Sequence, residues 1–408
     1  MSTLDLQRRW GASMMDSYGT PPIALVSGKG CRVVDADGSS YLDFIAGIAV
    51  SSLGHAHPAI VSAVSAQVAT LAHSSNLAIH PTGVELAEKL RALLGTDDAL
   101  VFFTNDGTEA NECAIKMARL HGRSLSPDGS RLRLISTENS FHGRTLGSLS
   151  ITGNPAKRTP FEPLPGEVTF VPYGDVDALK NAVDSSVAAV FLEPTQGEGG
   201  VIPAPEGYLA AARALCDSSG ALLVIDEVQS GIGRTGQWFA SSADGVRPDI
   251  LTLAKGLGGG LPIGACIGFG AAARLLTPGT HGSTFGGNPV SAAAALAVLS
   301  TIEQDGLLRH VREMGQRLQD GVSGLGSPLV TAVRGSGLWR GVVLGAPLAA
   351  EVESAARSRG LLVNAVRPDV LRLAPPLIVT ADEVDEAVSI LAAALVQVAA
   401  AQTAAERG

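Results

Sequence analysis

Short, wholly apolar runs that end on polar or glycine-rich residues recur through the middle of the chain. They constrain its fold more than any other feature. LVFFT (100–104), VAAVFL (187–192), ALLVI (221–225) and ILTL (250–253) leave no polar face. A strand of that kind has to be covered on both sides. Further strand patterns fall at 132–136, 168–171 and 263–268, with helical patterns near 108–121, 175–183 and 206–218 between them. Such alternation predicts a mostly parallel sheet with helices on both faces, an α/β fold. After about residue 290 the texture changes: helices at 289–304 and 307–323 precede strand patterns at 329–333, 338–344 and 370–373 and a helix at 381–400. The expected layout is an N-terminal segment (1–45) packing with the small domain, a large domain (46–290) and a smaller C-terminal α/β domain (291–408). The N-terminal segment carries a β-hairpin at 28–44, turning at 35–38. T-x-x-E capping boxes, Thr82 with Glu85 and Thr380 with Glu383, announce helices at 83–94 and 381–400, and Gly95 stops the first.

Composition narrows the function. With Asp+Glu 39 against Lys+Arg 30, the net charge of −9 argues against a nucleic-acid partner. The start, MSTLDLQRRWGASMM, has no apolar core of a secretory signal. The most apolar stretch, 387–401, is broken by Ser389 and Gln397, falls short of the ~18 uninterrupted residues of a membrane span, and reads as a packing helix. Four scattered cysteines (Cys31, Cys113, Cys216, Cys266) read as reduced buried thiols, so the expected location is cytoplasmic, with no membrane partner. Glycine is abundant, 48 of 408 residues, and lysine is scarce: Lys29, Lys89, Lys116, Lys157, Lys180 and Lys255 are all there are.

In open α/β sheets, functional residues gather beyond the carboxyl ends of the strands. After LVFFT comes Asn105-Asp106-Gly107-Thr108 and then a helix, a phosphate or carboxylate cradle or an ordinary N-cap. After ALLVI come Asp226 and Glu227, costly there unless they serve a ligand, a metal or a cation. One such carboxylate could bind Mg²⁺ or pair with a protonated ring nitrogen. After ILTLA comes Lys255, then GLGGG. Desolvation at a buried strand end is how an amine becomes a nucleophile near neutral pH. The other five lysines read as solvated. The G-x-G-x-x-G at 231–236 is detached from its strand and opens no helix, so a dinucleotide-binding dehydrogenase fits poorly. His55 and His57 lack a completed ligand set and read as loop-structuring, so no metal site is expected. An anion cradle, a strand-end acid and a strand-end lysine together are what pyridoxal phosphate requires.

Segments running almost end to end carry a specific resemblance: YLDFIAGIAVSSLGHAHP (41–58), HSSNL (73–77), FFTNDGTEANECAIKMAR (102–119), SFHGRT (140–145), EPTQGEGG (193–200), IDEVQSGIGRTG (225–236), LAKGLGGGLPIGA (253–265), HGSTFGGNP (281–289) and LRLAPPL (371–377). By these the chain resembles the class III (ω-amino) aminotransferases of pyridoxal-phosphate fold type I. The resemblance implies that Lys255 carries the cofactor as a Schiff base and shuttles the proton. It implies that Asp226 pairs with the ring nitrogen, that Gly107 and Thr108 bind the phosphate, and that Thr284 reaches it from the partner subunit of a homodimer. Phe141 and Val228 would pack on the two ring faces, with Gln229 near the ring hydroxyl. Arg144, assisted by Ser283, would take the donor's α-carboxylate. Arg372 would take that of 2-oxoglutarate, masked by Glu198 until the keto acid arrives. Asn76 favours an N-acylated donor, N-acetylornithine, yielding glutamate from 2-oxoglutarate; ornithine, 4-aminobutyrate and N-succinyl-diaminopimelate are the alternative donors. A non-catalytic ligand-binding relative is the remaining alternative.

Overall fold

The structure is a computed structural model and describes residues 1–405; the last three residues of the expected C-terminal domain lie outside the described residues. A seven-stranded sheet forms its centre, in the order Ala99–Thr104, Gly264–Phe269, Ile250–Leu253, Leu222–Asp226, Val187–Leu192, Arg133–Thr137 and Val168–Val171. The pairings of Gly264–Phe269 are antiparallel and the other four are parallel.

The unbroken apolar runs have the cause expected of them. Side chains alternate between two packed layers. Leu222, Val224, Ala189, Phe191 and Leu134 meet Cys113, Ile115 and Met117 of the helix Gly107–Leu125. Leu223, Ile225, Val190, Leu192 and Ile135 belong to the larger core, with Leu209, Ala212 and Cys216 of the helix Tyr208–Ser219. Each such Leu or Ile, fully withdrawn from water, contributes about 1.5–3 kcal/mol relative to exposure.

A second sheet is wholly antiparallel, in the order Val330–Ser336, Trp339–Leu344, Val370–Leu373 and Asn364–Arg367. The helix Ala381–Ala405 covers part of the core through Val384, Ala387, Leu391, Ala394, Leu395 and Val398. By length and composition it could cross a membrane, yet this stripe is buried in the protein. Its start uses the Thr380–Glu383 box reciprocally, Glu383 N to Thr380 Oγ1 (3.3 Å) and Thr380 N to Glu383 Oε2 (2.9 Å).

At the N-terminus, Leu25–Lys29, Arg32–Asp35 and Ser40–Asp43 form an antiparallel meander. Asp35 builds its turn, accepting from the amides of Asp37 (3.0 Å) and Ser39 (2.8 Å). Leu361–Leu362, from far along the chain, adds a fourth, parallel strand beside Ser40–Asp43. The box expected at Thr82 does not form. The helix is Pro81–Leu93, and His80 caps it by accepting from Gly83 N (3.1 Å). Pro81 is the cause: its fixed φ and missing N–H suit the first helical position, which moves the cap to residue 80.

Candidate active site

Two neighbouring parallel strands bring the key acid and amine together. Asp226 is the last residue of Leu222–Asp226, in register with Thr252 of Ile250–Leu253. Just beyond that second strand, Lys255 opens a short 3₁₀ turn with φ +43°. Left-handed backbone at a non-glycine residue is strain of the kind kept at functional sites. Both side chains line a cavity of 470 Å³ together with Gly107, Thr108, Phe141, Arg144, Glu198, Val228 and Gln229. Burial, aided by the charge of Arg372, pulls the Lys255 ammonium down to a pKa of about 8.

Asp226 is held from three directions. Asn111 Nδ2 donates to its Oδ2 (2.7 Å), His142 Nδ1 bonds the same oxygen (2.7 Å), and Val228 N donates to Oδ1 (2.9 Å). Burial acts to lower the pKa of His142, but its bond to Asp226 and the charges of Asp226 and Glu193 outweigh burial and raise it. Glu193, also on the cavity wall, accepts from Phe141 N (3.1 Å) and is pushed up to about 7, chiefly by burial. His142, Asn111 and Glu193 were not singled out from the sequence.

The anion seat is richer than the sequence suggested. Gly107 and Thr108 open a 19-residue helix, where the first amides have no intrahelical acceptor. The Asp106 side chain takes only that of Glu109 (2.8 Å). A Cβ on Gly107 would lie 2.6 Å from Val228 Cγ1, so only glycine lets the helix start this close to the cavity. The amides of Arg144 (3.1 Å) and Thr145 (3.3 Å) converge on Thr108 Oγ1. Gly143, with φ +141°, permits that approach, because a Cβ there would sit 2.1 Å from the same oxygen.

Arg372 is buried and closed. Its Nη1 donates to Glu198 Oε1 (2.8 Å) and Gln229 Oε1 (3.1 Å), and its Nη2 to Asn364 Oδ1 (2.7 Å). Burial alone would raise the Glu198 carboxyl; the charges of Arg372, Lys157 and Lys255 outweigh it and hold the group below its ordinary range. Lys157 corrects the reading of five solvated lysines: its Nζ lies 3.5 Å from Glu198 Oε2 and 4.8 Å from the centroid of the Phe141 ring.

Three expected residues do not line this cavity within the chain, although Ser283 Oγ accepts from Asn105 Nδ2 (3.3 Å) on its wall. Asn76 Nδ2 donates to Gly286 O (3.1 Å), Ser283 Oγ accepts from Gly286 N (3.0 Å), and Thr284 is exposed beside them. Glu227 turns away as well. It accepts from Ala240 N (2.6 Å), Ser241 N (2.9 Å) and Ser241 Oγ (2.6 Å), pinning the 227–241 loop. The G-x-G-x-x-G lies in that loop, where buried Arg234 donates to Leu338 O (3.0 Å) and Pro375 O (2.5 Å). His57 caps a helix by accepting from Ala59 N, and His55 bonds Asp43 (2.8 Å).

Amine, buried carboxylate and amide-lined anion seat share one cavity, and this donor set fits pyridoxal phosphate. Comparison with known proteins agrees. The family description "Aminotransferase class-III" matches residues 14–395. An acetylornithine aminotransferase of Mycobacterium tuberculosis is 57% identical over 395 residues, 97% of each chain. Among solved structures, an ornithine aminotransferase from Toxoplasma gondii, described as having partial occupancy of PLP at its active site, aligns with a TM-score of 0.94 at 32% identity over 98% of this chain and 96% of that one. An N-acetylornithine aminotransferase from Stenotrophomonas maltophilia aligns with a TM-score of 0.83 at 38% identity, over 95% and 99%.

Proposed function

Because this chain belongs to the class III aminotransferase family, we propose that its cavity exchanges an amino group between N-acetylornithine and 2-oxoglutarate, led by Lys255, Asp226 and the Glu198–Arg372 pair. It is a pyridoxal-phosphate-dependent transaminase of arginine biosynthesis, and the products are N-acetylglutamate 5-semialdehyde and glutamate. Pyridoxal phosphate, when bound, supplies a carbonyl that takes up the amine and a ring that draws electrons from the adjoining carbon.

The chain's own residues do the rest. Lys255 Nζ, with its pKa drawn down to about 8, is partly neutral near neutral pH and takes and returns the proton of the amine-bearing carbon. Asp226, fixed by Asn111, His142 and the Val228 amide, would hold a proton on the ring nitrogen of the bound cofactor. Gly107 and Thr108 would hold the phosphate, and Phe141, Val228 and Gln229, which line the same cavity, would pack about the ring. Exposed Arg144 binds the donor's α-carboxylate, while Ser283 and Asn76, which lie beside Thr284 and outside their own chain's cavity, would assist it and serve the acyl end only across a homodimer. Arg372 binds the keto acid's α-carboxylate bidentately once Glu198 releases it.

The observation that carries this reading is the Glu198–Arg372 pair. A buried arginine on the rim of the site is covered by a carboxylate that is itself only part-buried, so one cavity serves a donor without, and an acceptor with, a partner for that arginine. Thr284, exposed and away from its own chain's cavity, supports a homodimer in which it completes the partner's phosphate seat. The functional division is an N-terminal segment (1–45), a large cofactor-binding domain (46–290) and a small C-terminal domain (291–408), in a cytoplasmic enzyme with no nucleic-acid or membrane partner.

The test mixes the cofactor-loaded enzyme with N-acetylornithine, ornithine, 4-aminobutyrate or N-succinyl-diaminopimelate and follows bleaching of the Schiff-base band near ~410–430 nm. N-acetylornithine should bleach it fastest. Faster bleaching by ornithine or 4-aminobutyrate would overturn the substrate assignment.

A further inference from the structure

We propose that Lys157 is a positioning residue, a second cationic seat that holds the Glu198 carboxylate when it leaves Arg372. The inference rests on the reading of Glu198 as the cover of Arg372. Glu198 already faces both cations: Oε1 lies 2.8 Å from Arg372 Nη1 and Oε2 lies 3.5 Å from Lys157 Nζ. The two seats differ in depth, for the Arg372 side chain is 4% exposed and that of Lys157 24%.

A cover that moves needs two places to rest. A half-buried carboxylate pulled off its only cation is left unpaired, which is costly in a low-dielectric site. Lys157 removes that cost without competing for the keto acid at Arg372. Arg372 is not stranded either, since Gln229 and Asn364 still accept from it. The local build suits a fixed seat and a mobile cover. Lys157 lies over the Phe141 ring, 4.8 Å from its centroid, in the short helix Pro155–Arg158 capped by Asn154. That helix is pinned by Arg158 Nη1 donating to Thr152 O (2.6 Å) and by Arg158 over the Phe170 ring (4.0 Å). Glu198, in contrast, stands between Gly197, Gly199 and Gly200, with Gly200 at φ +109°. As Glu198 moves toward Lys157, it also clears its negative charge from the path of the incoming dicarboxylate.

The test uses the holoenzyme with Lys157→Met, which keeps the stem, Lys157→Arg, which keeps the charge, Glu198→Ala and the double variant. Two readouts are taken: calorimetric binding of glutarate, an inert dicarboxylate, and the two half-reactions in single turnover. Lys157→Met should weaken glutarate and raise the KM for 2-oxoglutarate by about two- to fivefold, as for a partly exposed ion pair. The N-acetylornithine half-reaction should stay within about twofold, and Lys157→Arg should restore most of the loss. In the Glu198→Ala background, Lys157→Met should add nothing. The seat is overturned if Lys157→Met leaves glutarate binding unchanged, or if its effect persists in full without Glu198, which would make it a direct ligand. If Glu198→Ala alone depresses both half-reactions equally, the cover reading fails, and the seat falls with it.

Discussion

Replacing Glu193 with glutamine should flatten the pH dependence of folding in the cofactor-free protein. Burial lifts the Glu193 carboxyl from its ordinary 4.5 to about 7; the charge of His142 opposes the rise and that of Asp226 adds to it. Between those values the native state keeps a proton that the unfolded chain has released. This stabilisation is therefore fully present below pH 4.5 and is lost as pH rises through about 7. The rise is about 2.5 units (7 − 4.5), and at 1.36 kcal/mol per unit it amounts to about 3 kcal/mol. His142, whose pKa is also raised, tilts stability in the same direction, so the informative quantity is the difference between native protein and Glu193→Gln. Urea unfolding at pH 5 and pH 8 measures it. The native protein should lose about 2.5 kcal/mol more than the variant over that interval, the remainder lying below pH 5. Equal losses would show that Glu193 titrates as an ordinary carboxylate and would refute the argument from burial.

Lys255→Ala should abolish turnover and the band near ~410–430 nm; full activity would refute its assignment. Gly107→Ala should overpack the helix start against Val228 Cγ1, 2.6 Å from the new Cβ, at a cost of about 1–3 kcal/mol seen as faster cofactor loss on dialysis. Glu227→Ala should lower the unfolding free energy by about 2–4 kcal/mol, because it orphans the amides of Ala240 and Ser241, while both KM values hold. Sedimentation should find a dimer, and Thr284→Ala should weaken cofactor retention; an active monomer would remove the shared site.

The strands leading to Asp226 and Lys255 were legible because burial on both faces strips a strand of polar residues, so the polar residue at or beyond its end stands out. His142 and Asn111 were not legible as partners of Asp226. They lie 84 and 115 residues from it, and nothing local marks the pairing. Asn111 did leave one usable signal, a polar side chain among Ala110, Cys113, Ala114 and Ile115 on the buried face of its helix. Lys157 was misread because NPAKRTP holds no apolar run to mark burial, and only the fold brings it to Glu198, 41 residues on. The helix Ala349–Arg357 was missed, and so was the strand Leu361–Leu362, whose two residues establish no period.

Arg372 belongs to a strand of the second sheet, across from Gly341 and Asn364, yet its guanidinium reaches Glu198 and Gln229 in loops that leave the central sheet. It is thus a rivet across a seam as well as the proposed recognition group. On the proposed function, a keto acid that displaces Glu198 would undo one of two fastenings and leave the Gln229 bond as a pin. The arrival of that substrate should therefore be felt as a change of stiffness between the sheets.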